Sequence, residues 1–110
     1  DYRVANLFAL PDEWHRAFDL VVEVWTIQSL PPQHAKEAIL AMAELVGDEG
    51  TLLVSTLTST DTEDSAGPPW PVDPAQLDAF VEAGLVEVQR HENPTSYASV
   101  GRLEVEYRRA

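Results

Sequence analysis

The fold of this chain is limited chiefly by residues 18–32, which read FDLVVEVWTIQSLPP. The first part of this stretch is rich in β-branched residues and leucine, a pattern typical of a strand that is buried on both faces in the middle of a parallel sheet. Polar and aromatic side chains follow where the carboxyl end of the strand opens onto solvent, namely Glu23, Trp25, Thr26 and Gln28. Because ligands of open α/β sheets bind at such strand ends, we predict a binding site here.

Composition limits the size and the partners of the protein. A chain of 110 residues forms at most one small domain with a thin core. Its formal net charge of -12 opposes binding to nucleic acid or to an anionic membrane surface. The absence of cysteine excludes a disulfide framework, a thiolate metal site and a cysteine nucleophile. No apolar run approaches the roughly 20 residues of a membrane span and no signal-peptide pattern is present, so we expect a soluble cytoplasmic protein.

The residues after the first strand predict a βαβ unit. Pro31 and Pro32 suit the first turn of a helix, where amide hydrogens have no partner. Apolar residues then recur at helical spacing between positions 35 and 46, which indicates an amphipathic helix packed on a sheet. We expect Gly47 to end this helix in the left-handed conformation and residues 51–57 to form a second buried strand. A strand, a helix and a strand at this spacing predict a right-handed crossover and a parallel sheet.

A second helix is predicted beyond a long connection. Residues 58–67 are polar and acidic, and a connection of this length is either functional or mobile. Asp73, Pro74 and Gln76 then form a capping-box pattern, with Asp as the cap and Pro in the first turn. The helix that they start is expected to end at Gly84.

The final stretch and the first residues both predict strands. The hydrophobic period changes to 2 over residues 86–90 and 103–108, which indicates two half-exposed strands that pair antiparallel. Residues 1–5 suit the tail of a further strand whose beginning is missing.

In this order, the elements resemble the carboxyl-terminal half of a class I S-adenosylmethionine-dependent methyltransferase, in particular small-molecule enzymes akin to the thiopurine methyltransferase type. The match depends on the order and spacing of six segments, residues 6–11, 18–23, 28–32, 45–54, 67–71 and 80–85. The resemblance implies a Rossmann-like α/β sheet of parallel strands with a closing antiparallel strand. It makes residues 1–110 the carboxyl-terminal part of a single methyltransferase domain.

Part of the family's pattern has no counterpart in this sequence. The glycine-rich loop after the family's first strand and the acidic residue after its second strand would both precede Asp1. In the family's strand order, 3-2-1-4-5-7-6, this chain would supply strands 3 to 7 and leave a gap in the sheet. Because each unpaired buried backbone group costs about 1 to 3 kcal/mol, we expect a fragment, a processed piece, or one chain of a protein completed by a homo-oligomer or a complementing N-terminal chain.

The resemblance also implies where S-adenosylmethionine would bind. Asn6 would lie at the adenine edge, where the family usually has Asp, and its side-chain oxygen can still accept from the adenine amino group. Leu7 and Phe8 would lie against the purine. The residues that would border the sulfonium and the methyl group end the first strand, and they are Glu23, Val24 and Trp25. A carboxylate and an indole face both suit a cation.

The implied reaction transfers a methyl group to a small-molecule acceptor. Gln28 would face the acceptor, and Trp70 would cover it from the long loop. Since methyl transfer is an in-line displacement, alignment and exclusion of water can carry it, so no catalytic side chain and no metal is assigned.

Simpler roles and other functions compete with this interpretation. Asn6 is also a common turn residue, and Trp25 and Trp70 are also typical of core or interface aromatics. A second hypothesis is a non-catalytic methyltransferase-like remnant whose exposed sheet edge acts as an oligomerisation or interaction module. A third is a different Rossmann-like nucleotide-binding enzyme, which the missing glycine-rich loop and the antiparallel final strand both disfavour.

Overall fold

The computed structural model describes residues 3–59, 69–95 and 100–110, which build a mixed sheet with two α-helices against one of its faces. The elements in chain order are β1 (Phe18–Val24), α1 (Ala35–Leu45), β2 (Val46–Ser59), α2 (Asp78–Glu82), β3 (Leu85–Pro94) and β4 (Val100–Arg109). The strands lie in the order β1-β2-β4-β3. β1 is parallel to β2, and the other neighbours are antiparallel. The predicted α/β class, with a parallel pair and a closing antiparallel strand, is therefore confirmed.

The helix α1 forms where the apolar spacing predicts it. One 3-10 turn, Pro32–His34, leads into the helix, and Ala38, Ile39 and Ala43 are fully buried against the sheet. The buried residues of β2, β4 and α2 complete this core, and they include Leu52, Val54, Phe80, Leu103, Val105 and Tyr107. The helices and these alternate strand residues thus share one face of the sheet.

The expectation that Gly47 caps α1 in the left-handed conformation is wrong. β2 begins at Val46 without an intervening cap residue, and the left-handed residue is Glu49, with a φ of 62°. A Cβ at Gly47 would lie 2.9 Å from the backbone oxygen of Arg16, and one at Gly50 would lie equally close to the oxygen of Phe18. These glycines therefore permit a close approach to the start of β1.

The expectation of a central strand buried on both faces is also wrong for the described chain. The strand is present, but β1 lies at the edge of the sheet and has β2 as its neighbour. Leu20, Val22 and Val24 are 56%, 57% and 58% exposed, whereas Glu23 is 3% exposed. The reason is that the helices cover one face only. We call the opposite face, which carries Leu20, Val22, Val24 and Leu53, the open face.

The predicted strand at residues 1–5 is not found in its described part. Residues 3–5 have no strand hydrogen bonding, and residues 1–2 lie outside the described residues. Because residues 3–5 form no strand, the expected gap does not arise among the described strands. The described strands pair continuously from β1 to β3.

The helical segment and the strand pairing of the second half agree with their sequence signals, but the expected half-exposed pattern at 86–90 is wrong, because β3 is exposed at every residue except Leu85. Asp73 and Gln76 form a reciprocal capping box, which starts a 3-10 turn, Pro74–Leu77, that runs into α2. Gly84 ends this segment with a φ of 102°. β3 and β4 pair antiparallel as predicted. The connection predicted at 58–67 lies outside the described residues from position 60 onward, and no described helix has the length and apolar character that crossing a membrane requires.

Candidate functional site

The candidate site begins with a carboxylate at the end of β1. Glu23 Oε1 accepts hydrogen bonds from the backbone N–H of Thr26 and, at 3.3 Å, from that of Ile27. These two amides open the 3-10 turn Ile27–Ser29, which has no side-chain cap from its own N-cap residue. The side chain of Glu23 therefore supplies the cap from within the preceding strand.

The same carboxylate is held in an unfavourable environment. Glu23 points toward the helix-covered face, and no donor among the described residues reaches its Oε2. Burial raises the pKa of this carboxyl, and the hydrogen bonds from Thr26 and Ile27 oppose that rise. A buried oxygen without a hydrogen-bond partner is costly. Because Glu23 lies at a strand end, where ligands of α/β sheets bind, this cost makes it a candidate functional residue.

Trp25, which lies between Glu23 and the turn, has an unusual backbone conformation. Its φ is 61°, the left-handed region that bulky residues rarely adopt. Its N–H donates to the backbone oxygen of Ser55 at 2.9 Å, and its own carbonyl accepts from Ser29 Oγ at 2.8 Å. The indole is 50% exposed. Trp25 is thus held at both backbone groups while its ring faces solvent.

Gln28 joins the carboxyl ends of β1 and β2. Its Oε1 accepts from the backbone N–H of Leu57 at 2.6 Å and from Thr56 Oγ1 at 3.3 Å. Its backbone oxygen accepts from the N–H of Trp70 at 2.6 Å. Gln28 is 3% exposed and Trp70 is half-buried, so of this pair Trp70 presents more surface to solvent.

The loop after residue 5 lies beside the start of α1. Asn6 Oδ1 accepts from the N–H of Phe8 at 3.0 Å, which forms a local turn. The ring of Phe8 lies 6.2 Å from that of His34, and Leu7 packs against the buried core. Because α1 starts just after the carboxyl end of β1, the structure brings this loop and Trp25 to the same edge of the sheet.

A cavity of about 260 Å³ opens on the open face of the sheet, and Glu23, Val24 and Ser55 are among its lining residues. Its lining comes from all four strands and includes Val22, Val24, Leu53, Gln89, His91 and Glu104. Neither Asn6, Phe8 nor Trp70 lines it. Within the described ranges, no cluster of His, Asp or Glu side chains has the arrangement of a metal site.

Sequence reasoning missed the residues that hold Trp25 and Gln28. Ser29, Ser55 and Thr56 contact these two residues across the turn and the neighbouring strand. The serine four residues after Trp25 is a weak local signal. Ser55 and Thr56 have no local sequence signal, because only the pairing of β1 with β2 brings them close to Trp25 and Gln28.

Comparison with known proteins gives a fold but no close relative. No protein-family model matches the chain, and neither does any curated protein. An S-adenosylmethionine-dependent methyltransferase from Methanosarcina mazei superposes with a TM-score of 0.75 and 9% identity, over 97% of this chain and 66% of that chain. The N-methyltransferase NodS from Bradyrhizobium japonicum gives 0.70 and 16% identity, over 96% and 57%. The [4+2]-cyclase SpnF gives 0.73 and 12% identity, over 99% and 55%.

These matches establish the class of fold. The described residues have the α/β fold of the S-adenosylmethionine-dependent methyltransferases, so the resemblance predicted from the sequence is confirmed at that level. The chain spans about half to two thirds of the length of the structures that it matches. The thiopurine-methyltransferase-like subtype stays a prediction, and so do the ligand roles of the individual residues.

Proposed function

We propose that this chain forms the carboxyl-terminal part of a domain that transfers a methyl group from S-adenosylmethionine to a small-molecule acceptor. The observation that carries the proposal is the superposition on a methyltransferase structure over 97% of the chain at a TM-score of 0.75. NodS, which is also similar, has been crystallised with S-adenosylhomocysteine. The fold alone does not fix the reaction, since SpnF is a cyclase.

The described residues suit part of this cofactor. The half-exposed indole of Trp25 offers an aromatic face to a cationic sulfonium at the carboxyl end of β1. The neighbouring Val24 would border the methyl group. Glu23 is too buried to meet a ligand in the described arrangement, so its negative charge would act on the sulfonium from behind the turn. When bound, the cofactor supplies an electrophilic methyl group.

The adenine side is assigned to the loop at the same edge. Phe8 is exposed and would lie against the purine beside Leu7. Asn6 Oδ1 already accepts from the N–H of Phe8, but a carboxamide oxygen has a second lone pair for the adenine amino group.

The acceptor side is assigned to Gln28 and Trp70. Gln28 fixes the position of the Trp70 backbone and of the end of β2, since it bonds to both Trp70 and Leu57. Trp70 would cover the acceptor and exclude water. Catalysis then depends on holding the acceptor atom in line with the methyl group, which needs no general base among these residues.

We also infer that a further polypeptide segment completes the sheet beyond β1. All-parallel sheets are covered on both faces, and β1, whose described neighbour is parallel, leaves the side chains of Leu20, Val22 and Val24 exposed on the open face. Parallel crossovers are right-handed, so a connection that extends the sheet away from β2 would place its helix on this open face. Such a segment could belong to a complementing N-terminal chain, and it would put the candidate site at the point where the strand order reverses.

Calorimetric titration of the full-length protein with S-adenosylhomocysteine tests the function. We expect saturable binding that Trp25→Ala weakens about tenfold, the scale of one lost aromatic contact to a cation or nucleoside. The matched control is Trp14→Ala, since Trp14 packs edge-on against Phe18, away from the carboxyl end of β1. An absence of binding heat at millimolar ligand would overturn the proposal.

The second candidate is a non-catalytic remnant that uses the open face and the free edge of β1 as an interaction module. The exposed apolar side chains of β1 favour it. Under this hypothesis the protein forms a defined oligomer in light scattering and shows no response to S-adenosylhomocysteine. A monomer that binds the nucleoside would exclude it.

A further inference from the structure

We propose that Glu23 is a positioning residue for Trp25, whose buried carboxylate fixes the turn after β1 so that the indole stands at the ligand site in one orientation. The ligand part of this inference depends on the proposed function. The structural part does not, because it concerns contacts within the chain.

The first step is the backbone of Trp25. A bulky residue in the left-handed region is strained and persists only where its surroundings hold it. Ser55 and Ser29 hold its N–H and its carbonyl group. Both of these are neutral partners, and neither binds the amides of Thr26 and Ile27, which need a separate constraint.

Glu23 supplies that constraint. One carboxylate oxygen, Oε1, accepts from the amides of both Thr26 and Ile27. For the amides of Thr26 and Ile27 to reach one oxygen of Glu23, the chain must turn back between Glu23 and Thr26. The left-handed conformation of Trp25 makes this turn. A single acceptor oxygen that binds both amides fixes their directions together, so this contact stabilises the left-handed conformation of Trp25.

The second step is the remaining oxygen. Glu23 is 3% exposed, and its Oε2 has no donor within the described part of the chain. If the turn needed only a cap, a short side chain at its N-cap position could supply one. The N-cap residue is Thr26, and its side chain makes no capping hydrogen bond. Burying the carboxylate of Glu23 costs more free energy than a short cap residue would. Its additional effect is to fix the direction of the half-exposed indole of Trp25.

The test uses the full-length protein labelled with 5-fluorotryptophan. Fluorine NMR gives one signal for each tryptophan, and the Trp25 signal is the one that Trp25→Phe removes. Glu23→Met keeps the side-chain volume but removes both oxygens, so we expect it to fold and to shift and broaden the Trp25 signal while the Trp14 signal stays in place. Glu23→Gln keeps one acceptor oxygen and is expected to restore the signal. The matched control is Glu37→Gln, an exposed glutamate on α1.

Binding separates positioning from a merely structural role. We expect Glu23→Met to weaken S-adenosylhomocysteine binding about tenfold, Trp25→Ala to do the same, and the double variant to lose no more than either single one. Fully additive losses, or an unmoved Trp25 signal in Glu23→Met, would overturn the positioning role. If the wild-type protein binds no S-adenosylhomocysteine, the proposed function fails, but the fluorine signal still decides whether Glu23 positions Trp25.

Discussion

Arg109 donates a hydrogen bond of 2.6 Å from Nη2 to the backbone oxygen of Ala43 in the last turn of α1. Its Nε donates to the backbone oxygen of Val46 at 2.8 Å, and the side chain is 5% exposed. The guanidinium therefore gives the Ala43 oxygen a second donor beside the N–H of Val46, and its positive charge is favourable at that end of the helix. One residue of the last strand thus ties the sheet to α1.

Replacing Arg109 is expected to destabilise the protein. Arg109→Met removes two charge-assisted hydrogen bonds to buried carbonyl groups, which should lower the free energy of unfolding by about 2 to 4 kcal/mol. Urea denaturation followed by circular dichroism measures this. Arg108→Met is the control, because Arg108 is exposed and lies 3.6 Å from Glu106, and we expect a change below about 1 kcal/mol. Equal losses of stability in Arg109→Met and Arg108→Met would contradict this role of Arg109.

The pH dependence of stability should contain a contribution from Glu23. Burial raises its pKa above the ordinary value of 4.5, so the folded state binds the proton more tightly than the unfolded state. The resulting stabilisation is complete below about pH 4.5 and is lost as the pH rises through the higher folded pKa. Glu23→Gln should remove this loss, so the stability of the variant relative to wild type should rise when the pH is raised from about 4 to about 7.5.

Urea denaturation at the two pH values measures that difference. Because the chain contains many other carboxylates, Glu37→Gln serves as the reference for the general acid effect. If Glu23→Gln and Glu37→Gln respond to pH alike, Glu23 makes no special contribution.

Tyr107 should be replaceable by phenylalanine at no cost. Its ring packs 5.0 Å from that of Phe80, and its hydroxyl is buried with no partner among the described residues. Tyr107→Phe removes this unpaired group, so we expect a gain of about 1 kcal/mol in the free energy of unfolding. A loss of that size would mean that the hydroxyl is hydrogen-bonded.

Tyr107 should also contribute to alkaline unfolding. Burial raises its pKa to about 12, so the unfolded state releases the proton first and stability falls as the pH rises from 10 toward 12. Tyr107→Phe should lack this fall. Absorbance at the tyrosinate band gives a direct check, because the variant should lose the signal that titrates near 12.

The open face gives a prediction for the complete protein. Val22 is 57% exposed in the described chain, and Val81, on α2, is 51% exposed. If a further segment covers the open face, Val22→Lys buries a charge and should lower the free energy of unfolding by about 2 kcal/mol or more, whereas Val81→Lys should change it by less than about 0.5 kcal/mol. Urea denaturation compares the two. Equally small effects would indicate that the open face remains in water.

Several elements could be predicted from the sequence because their signals are local. The apolar spacing of α1, the capping box at Asp73 and the glycine at position 84 each depend on residues within one or two turns, and each was confirmed. The alternation in β4 likewise reports which side chains face the core, whereas in β3 the alternating Val86 and Val88 are exposed and only Leu85 is buried.

The site was predicted less completely. The sequence indicates that Glu23 and Trp25 lie at a strand end, but not that the carboxylate is buried and caps the next turn, or that the tryptophan is left-handed. Nor does it separate an edge strand from a central one. An apolar run such as β1 is compatible with either position, because the difference depends on what covers its second face.

The sequence by itself determined most of the secondary structure and the parallel βαβ unit, because hydrophobic period and capping chemistry act between near neighbours. Only the tertiary structure decided that β1 is an edge strand, that Arg109 reaches α1 and that Ser55 and Gln28 hold the turn. Those contacts join residues that are distant in the chain, so they depend on strand register and on which face the helices cover.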